Sequence, residues 1–224
     1  MPTQWFELEE PEDYLDLEIT EPERAFVEAL RSHTAQWPSQ GASGEISRPE
    51  TGDALLAYIT LSDPETRLSL IDIGVHLSGD QIRGDRLHNQ LFTLPDRPSA
   101  WALNAEGSQQ ELARRTAEWM RTALHRPVVL YVWLHDGYAY AARYAFADRD
   151  ETLSQLYNRQ YAPEGQAEAL TEAGHVHGRG WIQTTGLPAP DLYLHIRGNL
   201  DQAALPSGIR AATQRGPIAG VWYE

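Results

Sequence analysis

The sequence contains no cysteine and no lysine, and each absence excludes a class of chemistry. Without cysteine there is no disulfide, thiol nucleophile or thiolate metal site, which is typical of a protein in a reducing cytosol. Without lysine there is neither a Schiff-base amine nor the lysine of a phosphate-binding P-loop. All 18 basic side chains are therefore arginines, a bias that fits a GC-rich bacterial genome.

Long apolar runs are also missing, and positive charge is scarce. No segment approaches the ~20 apolar residues of a membrane span, and no charged-then-apolar leader opens the chain. We therefore expect a soluble, cytoplasmic protein without a membrane partner. The formal net charge of −14 argues against a nucleic-acid partner, because a phosphate backbone attracts basic surfaces. It favours solubility and a basic protein partner.

Sequence motifs that identify common enzymes are absent as well. The chain has no GxGxxG, GxxxxGK[ST], HExxH or GxSxG motif and no EF-hand loop. No serine is marked as a nucleophile, so no catalytic residue is assigned. No cofactor is predicted, and we lean against an enzyme.

The clearest local pattern is an amphipathic helix over about residues 108–125. Ser108 and Glu111 form a capping box at its start, and apolar side chains recur at intervals of three and four. Pro127 disfavours a helical conformation in the residue before it and ends the helix.

A β-hairpin is predicted directly after this helix, over about residues 128–146. Asp136-Gly137 suits a two-residue turn that needs positive φ. The turn predicts that His135 pairs with Tyr138, Trp133 with Tyr140, Tyr131 with Ala142, and Val129 with Tyr144. Alternation along the strands then gives one aliphatic face, interrupted only by Arg143, and one aromatic face. The aliphatic face suits packing under the helix.

The aromatic face has two interpretations. Cross-strand aromatic pairs stabilise a sheet on their own, which favours core or sheet packing. Several tyrosine hydroxyls in need of hydrogen-bond partners keep a ligand- or partner-binding surface open. The candidate binding residues on this face are Tyr131, Trp133, Tyr140 and Tyr144.

The N-terminal part is predicted to be an appendage docked on the main body. Residues 1–18 are acidic with interleaved aromatics, and they either dock on the chain itself or present a strip to a basic partner. A capping box of Thr20 and Glu23 predicts a helix over residues 21–37. The domain division is thus residues 1–38 as the appendage, 39–53 as a loop or linker rich in Pro, Gly and Ser, and 54–224 as a single main domain. The C-terminal tail is expected to be held by Trp222 and Tyr223.

Within the main domain, a meander of about four strands precedes the central helix. The predicted strands begin at residues 54, 67, 90 and 100, with a polar loop, SGDQIRGDR, after the second. Asp72 lies inside the second strand and needs a partner if it is buried. Arg83 or Arg86 of the polar loop is the expected partner.

After the hairpin, residues 148–161 and 163–173 are predicted to form surface helices, the second ending at Gly174. The HxH motif that follows is the one stretch with ligand-like spacing. His175 and His177 would face the same way on a strand, and His195 could complete a three-histidine site for a divalent metal. Arg179 could bind an anion and Trp181 could stack on a ligand. A loop without chemistry is the alternative.

These patterns predict an α+β fold. An antiparallel meander and the hairpin would form one curved sheet or two, with the helix at 108–125 packed on it and peripheral helices around it. The leading functional hypothesis is an acidic, non-enzymatic binding protein, immunity- or inhibitor-like, that holds a basic protein partner. One alternative is a metal-assisted hydrolase using His175, His177 and His195. The other is a small-molecule-binding protein with an aromatic pocket on the hairpin.

Overall fold

The computed structural model describes residues 5–6, 19–38, 40–48, 54–88, 91–178, 180–215 and 220. Within these ranges the chain forms twelve β-strands and three α-helices, and the strands are joined mainly in antiparallel fashion into open sheets. The predicted α+β class is confirmed. The chain divides into two compact units, residues 1–124 and residues 125–224. The finer division into an appendage, a linker and a main body stays a prediction. None of the described helices is both long enough and apolar enough to cross a membrane.

The first unit combines a five-stranded meander with two helices. In chain order the elements are α1 (Glu21–Thr34), β1 (Ala42–Ser47), β2 (Leu55–Ser62), β3 (Ser69–Ser78), β4 (Gln81–Arg86), β5 (Leu103–Glu106) and α2 (Gln109–His125). The strands follow one another in the sheet in sequence order, and every neighbouring pair is antiparallel.

Both predicted helices of this unit are confirmed, and their starts follow from local chemistry. The Thr20 hydroxyl accepts from the Glu23 backbone N–H, and the Glu23 carboxylate accepts from the Thr20 N–H at 2.8 Å. At the start of α2 the Ser108 hydroxyl accepts from the backbone N–H of Glu111 at 3.4 Å. The indole of Trp119 lies beside Gly84 of β4, where an added Cβ would be 3.3 Å from the ring. Helix α2 therefore packs on the sheet of its own unit.

Three strand assignments of the first unit differ from the prediction. Strand β1 lies within residues 39–53, which were predicted to be a loop, and β4 occupies the predicted polar loop. The predicted strand at 90–94 is not one in its described part, residues 91–94. Both unexpected strands are short and polar, with only Ile46 and Ile82 as large apolar residues. Pairing with the apolar strands β2 and β3 stabilises them, and that signal is not local in sequence.

The second unit is built on another five-stranded sheet. Its elements are β6 (Val128–His135), β7 (Tyr138–Phe146), β8 (Glu151–Tyr157), α3 (Gln166–Glu172), β9 (Val176–His177), β10 (Trp181–Ile182), β11 (Leu192–Arg197) and β12 (Arg210–Ala212). The order across the sheet is β12-β11-β6-β7-β8, and β9 with β10 forms a separate two-stranded ribbon. Only the β11–β12 pair is parallel among these described strands.

The prediction of a helix over residues 148–161 is wrong, because this segment forms a tight turn followed by β8. Few bulky apolar residues mark it, and strand β7 supplies the partner that makes it extended. The helix predicted over 163–173 is confirmed as α3. Gly174 follows it at φ 79°, the left-handed conformation that ends helices at glycine.

The hairpin turn is confirmed, but the strand register beyond it was predicted wrongly. Asp136 and Gly137 have φ of 49° and 83°, and His135 pairs with Tyr138. A β-bulge then inserts Tyr140 as an extra residue, so that Trp133 pairs with Ala141 instead. From that point every side chain of β7 faces the opposite way from the prediction.

The bulge exchanges side chains between the two faces of β7. Arg143 now lies opposite Tyr131, on the face that carries Trp133. Tyr144 lies opposite Leu130, on the face predicted to be aliphatic. The predicted aromatic face therefore loses Tyr144 and gains an arginine.

Candidate functional site

The four tyrosine and tryptophan residues predicted to bind a ligand or partner are all buried. Their side chains are between 0 and 3% exposed: Tyr131, Trp133, Tyr140 and Tyr144. Three of them share one apolar cluster on the same face, whereas Tyr144 lies on the other face of the hairpin. No ring of this set reaches solvent directly, and their binding role stays a prediction.

A row of polar side chains crosses this apolar cluster. Cross-strand pairing aligns Tyr193 of β11 with Tyr131 of β6, Tyr131 with Arg143 of β7, and Arg143 with Gln155 of β8. Directly paired residues in antiparallel strands project on the same side of the sheet. The row is continued beyond β8 by Thr184, whose N–H and hydroxyl donate to the Gln155 Oε1 at 2.9 and 2.6 Å.

Arg143 is the charged centre of this row and is only 6% exposed. Its Nη2 donates to the Asp150 carboxylate at 2.7 Å, and its Nη1 lies 3.5 Å from the Thr152 hydroxyl. The guanidinium carbon lies 5.0 Å from the Tyr131 ring centre and 5.9 Å from that of Trp133, within cation–π range. Asp150 has φ 51°, a left-handed conformation that aspartate tolerates better than most residues.

Two buried donors of the row have no acceptor among the described residues. They are the Nε–H of Arg143 and the hydroxyl of Tyr131. Burial, with a smaller effect of the Asp150 charge, raises the pKa of Tyr131 above its ordinary value of 10.0. The hydroxyl therefore stays protonated and able to donate at neutral pH.

Arg126 shows how the same unit satisfies another partly buried arginine. Its Nε and Nη2 both donate to the Asp148 carboxylate at 2.8 Å, and its Nη1 donates to Glu151 at 2.8 Å. Its guanidinium carbon lies 3.9 Å from the Phe146 ring centre. Arg126 and Arg143 thus each contact a carboxylate and an aromatic ring. Of the two, only Arg143 has an Nε–H without an acceptor among the described residues.

Partly buried hydrophobic side chains pack against the apolar cluster that the row crosses, and we call this set the cover. Most of them lie on turns and loops rather than in helices or strands. Apart from Tyr193, which belongs to the row itself, the set is Tyr157, Tyr161, Ala162, Leu187, Leu200, Ala203, Leu205 and Ile209.

Hydrogen bonds fix one end of this cover. The Tyr157 hydroxyl donates to Gln166 of α3 at 3.0 Å, and the Gln166 amide donates to the Tyr140 hydroxyl at 3.3 Å. Trp133 donates its indole N–H to the Pro188 carbonyl at 2.7 Å. Burial and the neighbouring Tyr140 raise the pKa of Tyr157 to about 12.

The three histidines proposed as metal ligands occupy three different surroundings. The imidazole of His175 packs against Gly186, and His177 is exposed on the β9–β10 ribbon. His195 is exposed on β11, with its Nε2 2.8 Å from the Gly198 carbonyl. No three metal-ligating side chains come together within the described part of the chain. The divalent-metal and hydrolase hypotheses stay predictions.

Of the two other residues proposed around the HxH motif, Trp181 is described by the structure and Arg179 is not. Trp181 is 68% exposed on the same ribbon, so its ring is accessible. Arg179 lies outside the described residues, as do the predicted tail anchors Trp222 and Tyr223.

No family model matches this chain, and no curated protein or solved structure is significantly similar to it.

In the first unit, Asp72 has a different partner from the one predicted. Its carboxylate accepts from the Thr60 hydroxyl at 2.6 Å across the β2–β3 pair, rather than from Arg83 or Arg86. Burial is the main cause that raises the pKa of the Asp72 carboxyl above 3.8, and the Glu45 charge adds to it. The predicted ion pair is corrected to a hydrogen bond with a hydroxyl.

The first described residues of the chain dock on the first unit. Trp5 and Phe6 are buried, the Phe6 N–H donates to the Gly44 carbonyl at 3.1 Å, and the Trp5 indole donates to the Trp37 carbonyl at 3.2 Å. An added Cβ on Gly44 would lie 2.8 Å from the Trp5 ring, so glycine is needed for this close approach. Residues 7–18, the rest of the predicted acidic strip, lie outside the described ranges.

Sequence reasoning missed Arg143 and Asp150 as members of a site. The available signal was a single arginine within an otherwise apolar strand. The first acidic residue, Asp148, follows five positions later. A charged residue in that position needs a partner, and the nearby carboxylates could have been proposed.

Proposed function

We propose that the protein is a non-enzymatic binding protein that holds a basic protein partner through its acidic first unit. The observation that carries this proposal is the distribution of charge. Residues 1–124 contain 22 Asp and Glu against 10 Arg, a net charge of −12, whereas residues 125–224 contain 10 against 8, a net charge of −2. The negative charge therefore belongs almost entirely to one compact unit.

Half of the net charge comes from one short segment. Residues 1–18 contain seven carboxylates and no arginine. The burial of Trp5 and Phe6 attaches the start of this segment to the β1 strand. Anchoring at residues 5 and 6 supports the proposal, because it attaches the chain just before the acidic residues to the acidic unit.

Concentrated charge of one sign acts first on association. It attracts an oppositely charged partner and can raise the association rate by roughly 10-fold to 1000-fold at low salt. It also disfavours acidic competitors, which is the way a dedicated immunity- or inhibitor-like protein gains selectivity. The partner recognised by this acidic unit should therefore have an arginine- or lysine-rich surface.

The proposal is tested with two variants that lose the same number of carboxylates. In the segment variant the carboxylates of residues 7–18 become amides: Glu7, Glu9, Glu10, Glu12, Asp13, Asp16 and Glu18. In the control variant seven exposed carboxylates elsewhere in the first unit become amides: Glu21, Glu28, Glu65, Asp80, Asp96, Glu106 and Glu118. Both variants then have the same net charge.

Each protein is used to capture partners from lysate of the source organism at about 0.15 M salt, where the Debye length is about 8 Å. We expect the wild type to retain a specific basic protein, the control to retain most of it, and the segment variant to lose it. The association rate of the purified partner should fall steeply with salt. Equal loss in both variants would assign binding to net charge alone, and capture of only neutral or acidic proteins would refute the proposal.

A further inference from the structure

The polar row of the second unit contains two buried hydrogen-bond donors with no described acceptor. The Arg143 Nε–H and the Tyr131 hydroxyl lie on directly paired residues of β6 and β7, on the same face of the sheet. Folded proteins satisfy nearly all of their buried donors. Two orphaned donors on adjacent positions therefore point to an acceptor that is not part of the chain.

Arg126 of the same unit is arranged differently from Arg143. All three nitrogens of Arg126 donate to Asp148 or Glu151, although it also stacks on an aromatic ring. At Arg143 a single carboxylate, Asp150, occupies one nitrogen and leaves the Nε edge open. We propose that the polar row binds a small planar carboxylate, with Arg143 and Tyr131 donating to its oxygens.

The ligand class follows from the donors and the walls. A guanidinium N–H and a phenol hydroxyl are two donors that suit the two oxygens of one carboxylate. The Tyr131 and Trp133 rings lie beside the guanidinium, and aromatic surroundings of this kind suit a planar ligand body. Asp150 already pairs with Arg143, so a phosphate dianion would meet more repulsion there than a carboxylate monoanion does.

Access to the row is through its cover rather than through the sheet. Side chains such as Leu187, Leu205 and Ile209 are only partly buried, and they lie outside helices and strands. Loops of this kind open at lower free-energy cost than the paired strands beneath them. The site lies wholly within residues 125–224, so it does not rest on the function proposed for the first unit.

Binding is tested by isothermal titration of the full chain with benzoate and with indole-3-carboxylate. Benzamide, which lacks the charge, and phenyl phosphate, which has a second charge, are the comparison ligands. We expect saturable binding of at least one carboxylate and weaker binding of both comparison ligands. No saturable binding of either carboxylate at millimolar concentration would refute the proposal, as would tighter binding of phenyl phosphate.

Variants locate the site. Arg143→Lys keeps a charge but removes the Nε–H, and Tyr131→Phe removes only the hydroxyl; each should weaken carboxylate binding about tenfold or more, the usual effect of a lost hydrogen bond to a charged group. Arg126→Lys is the matched control and should leave the affinity unchanged. Circular dichroism checks that each variant is folded.

Asp150→Asn distinguishes a binding site from a structural cluster. It removes the competing negative charge while keeping a side chain that tolerates the left-handed backbone. Carboxylate affinity should therefore increase several-fold. If the cluster were only structural, Asp150→Asn would not raise the affinity for a carboxylate. An unchanged or lower carboxylate affinity in folded Asp150→Asn protein would therefore overturn the assignment. This outcome can be measured even if Arg143→Lys is too unstable to study.

Discussion

Removing the hydroxyl of Tyr131 should stabilise the unliganded protein. The side chain is fully buried, and its hydroxyl has no partner among the described residues. A buried polar group left without a hydrogen bond costs about 1–3 kcal/mol, and phenylalanine fills nearly the same space without that group. Because the ring keeps its contacts with Arg143 and the apolar cluster, we expect Tyr131→Phe to raise the free energy of unfolding by about 1 kcal/mol.

Tyr144 provides a matched control on the opposite face of the same hairpin. It is buried to the same extent, but its hydroxyl accepts from the Arg215 guanidinium at 3.1 Å. Tyr144→Phe removes a satisfied hydrogen bond and should lower the free energy of unfolding by about 1 kcal/mol. The two variants delete the same atom and should change stability in opposite directions.

Urea unfolding followed by tryptophan fluorescence measures both effects, since Trp133 is a buried reporter in the same sheet. Equal slopes against denaturant would show that the midpoint shift reflects stability. The reasoning is refuted if Tyr131→Phe destabilises the chain as much as Tyr144→Phe does. That result would mean that the Tyr131 hydroxyl has an acceptor in the protein even without an added ligand.

Three further changes test the first unit in the same assay. Thr20→Ala removes the N-terminal cap of α1 and should lower the free energy of unfolding by about 1 kcal/mol, whereas Thr20→Ser should not. Asp72→Asn should stabilise the chain at pH 7, since burial raises the pKa of this carboxyl above 3.8 and its ionised form is the costly one. That gain should disappear below pH 3.8, where the carboxyl is protonated in both states. Burial also lowers the pKa of His76 below 6.5, so wild-type stability should fall as the pH drops below 6.5 towards the folded-state pKa, and His76→Asn should flatten this dependence.

The features that could be predicted from the sequence are those with local causes. Helices α1 and α2 are set by a cap within four residues of the start and by an apolar spacing that repeats every turn. The Asp136-Gly137 turn depends on two residues that tolerate positive φ. Each of these signals lies within a single element, so it can be read without knowing what the element packs against.

Local sequence patterns did not predict the strands whose conformation depends on pairing with a neighbouring strand. Strands β1, β4 and β8 contain few large apolar residues, and each is extended because a neighbouring strand pairs with it. The assignment of β8 as a helix had the same origin. Short polar segments have weak preferences of their own, and tertiary pairing decides their conformation.

The candidate site could not be predicted because its geometry depends on one inserted residue. Alternation along a strand has a period of two, so a single extra residue reverses every side chain beyond it. With the predicted register, Arg143 would have lain among the aliphatic side chains and Tyr144 among the aromatic ones. The bulge at Tyr140 reverses both placements and brings Arg143 opposite Tyr131.

The same bulge links the hairpin to the cover of the polar row. Tyr140 projects into the apolar cluster, where its hydroxyl accepts from Gln166 and its ring packs edge-on against Tyr157. One inserted residue thus places the arginine within the sheet and also holds the segment that closes over it. Bulges that re-aim side chains occur preferentially next to functional sites. An arginine with an open donor edge would be an unfavourable core residue, so its position beside a bulge and beneath a cover of loops argues for binding rather than for packing alone.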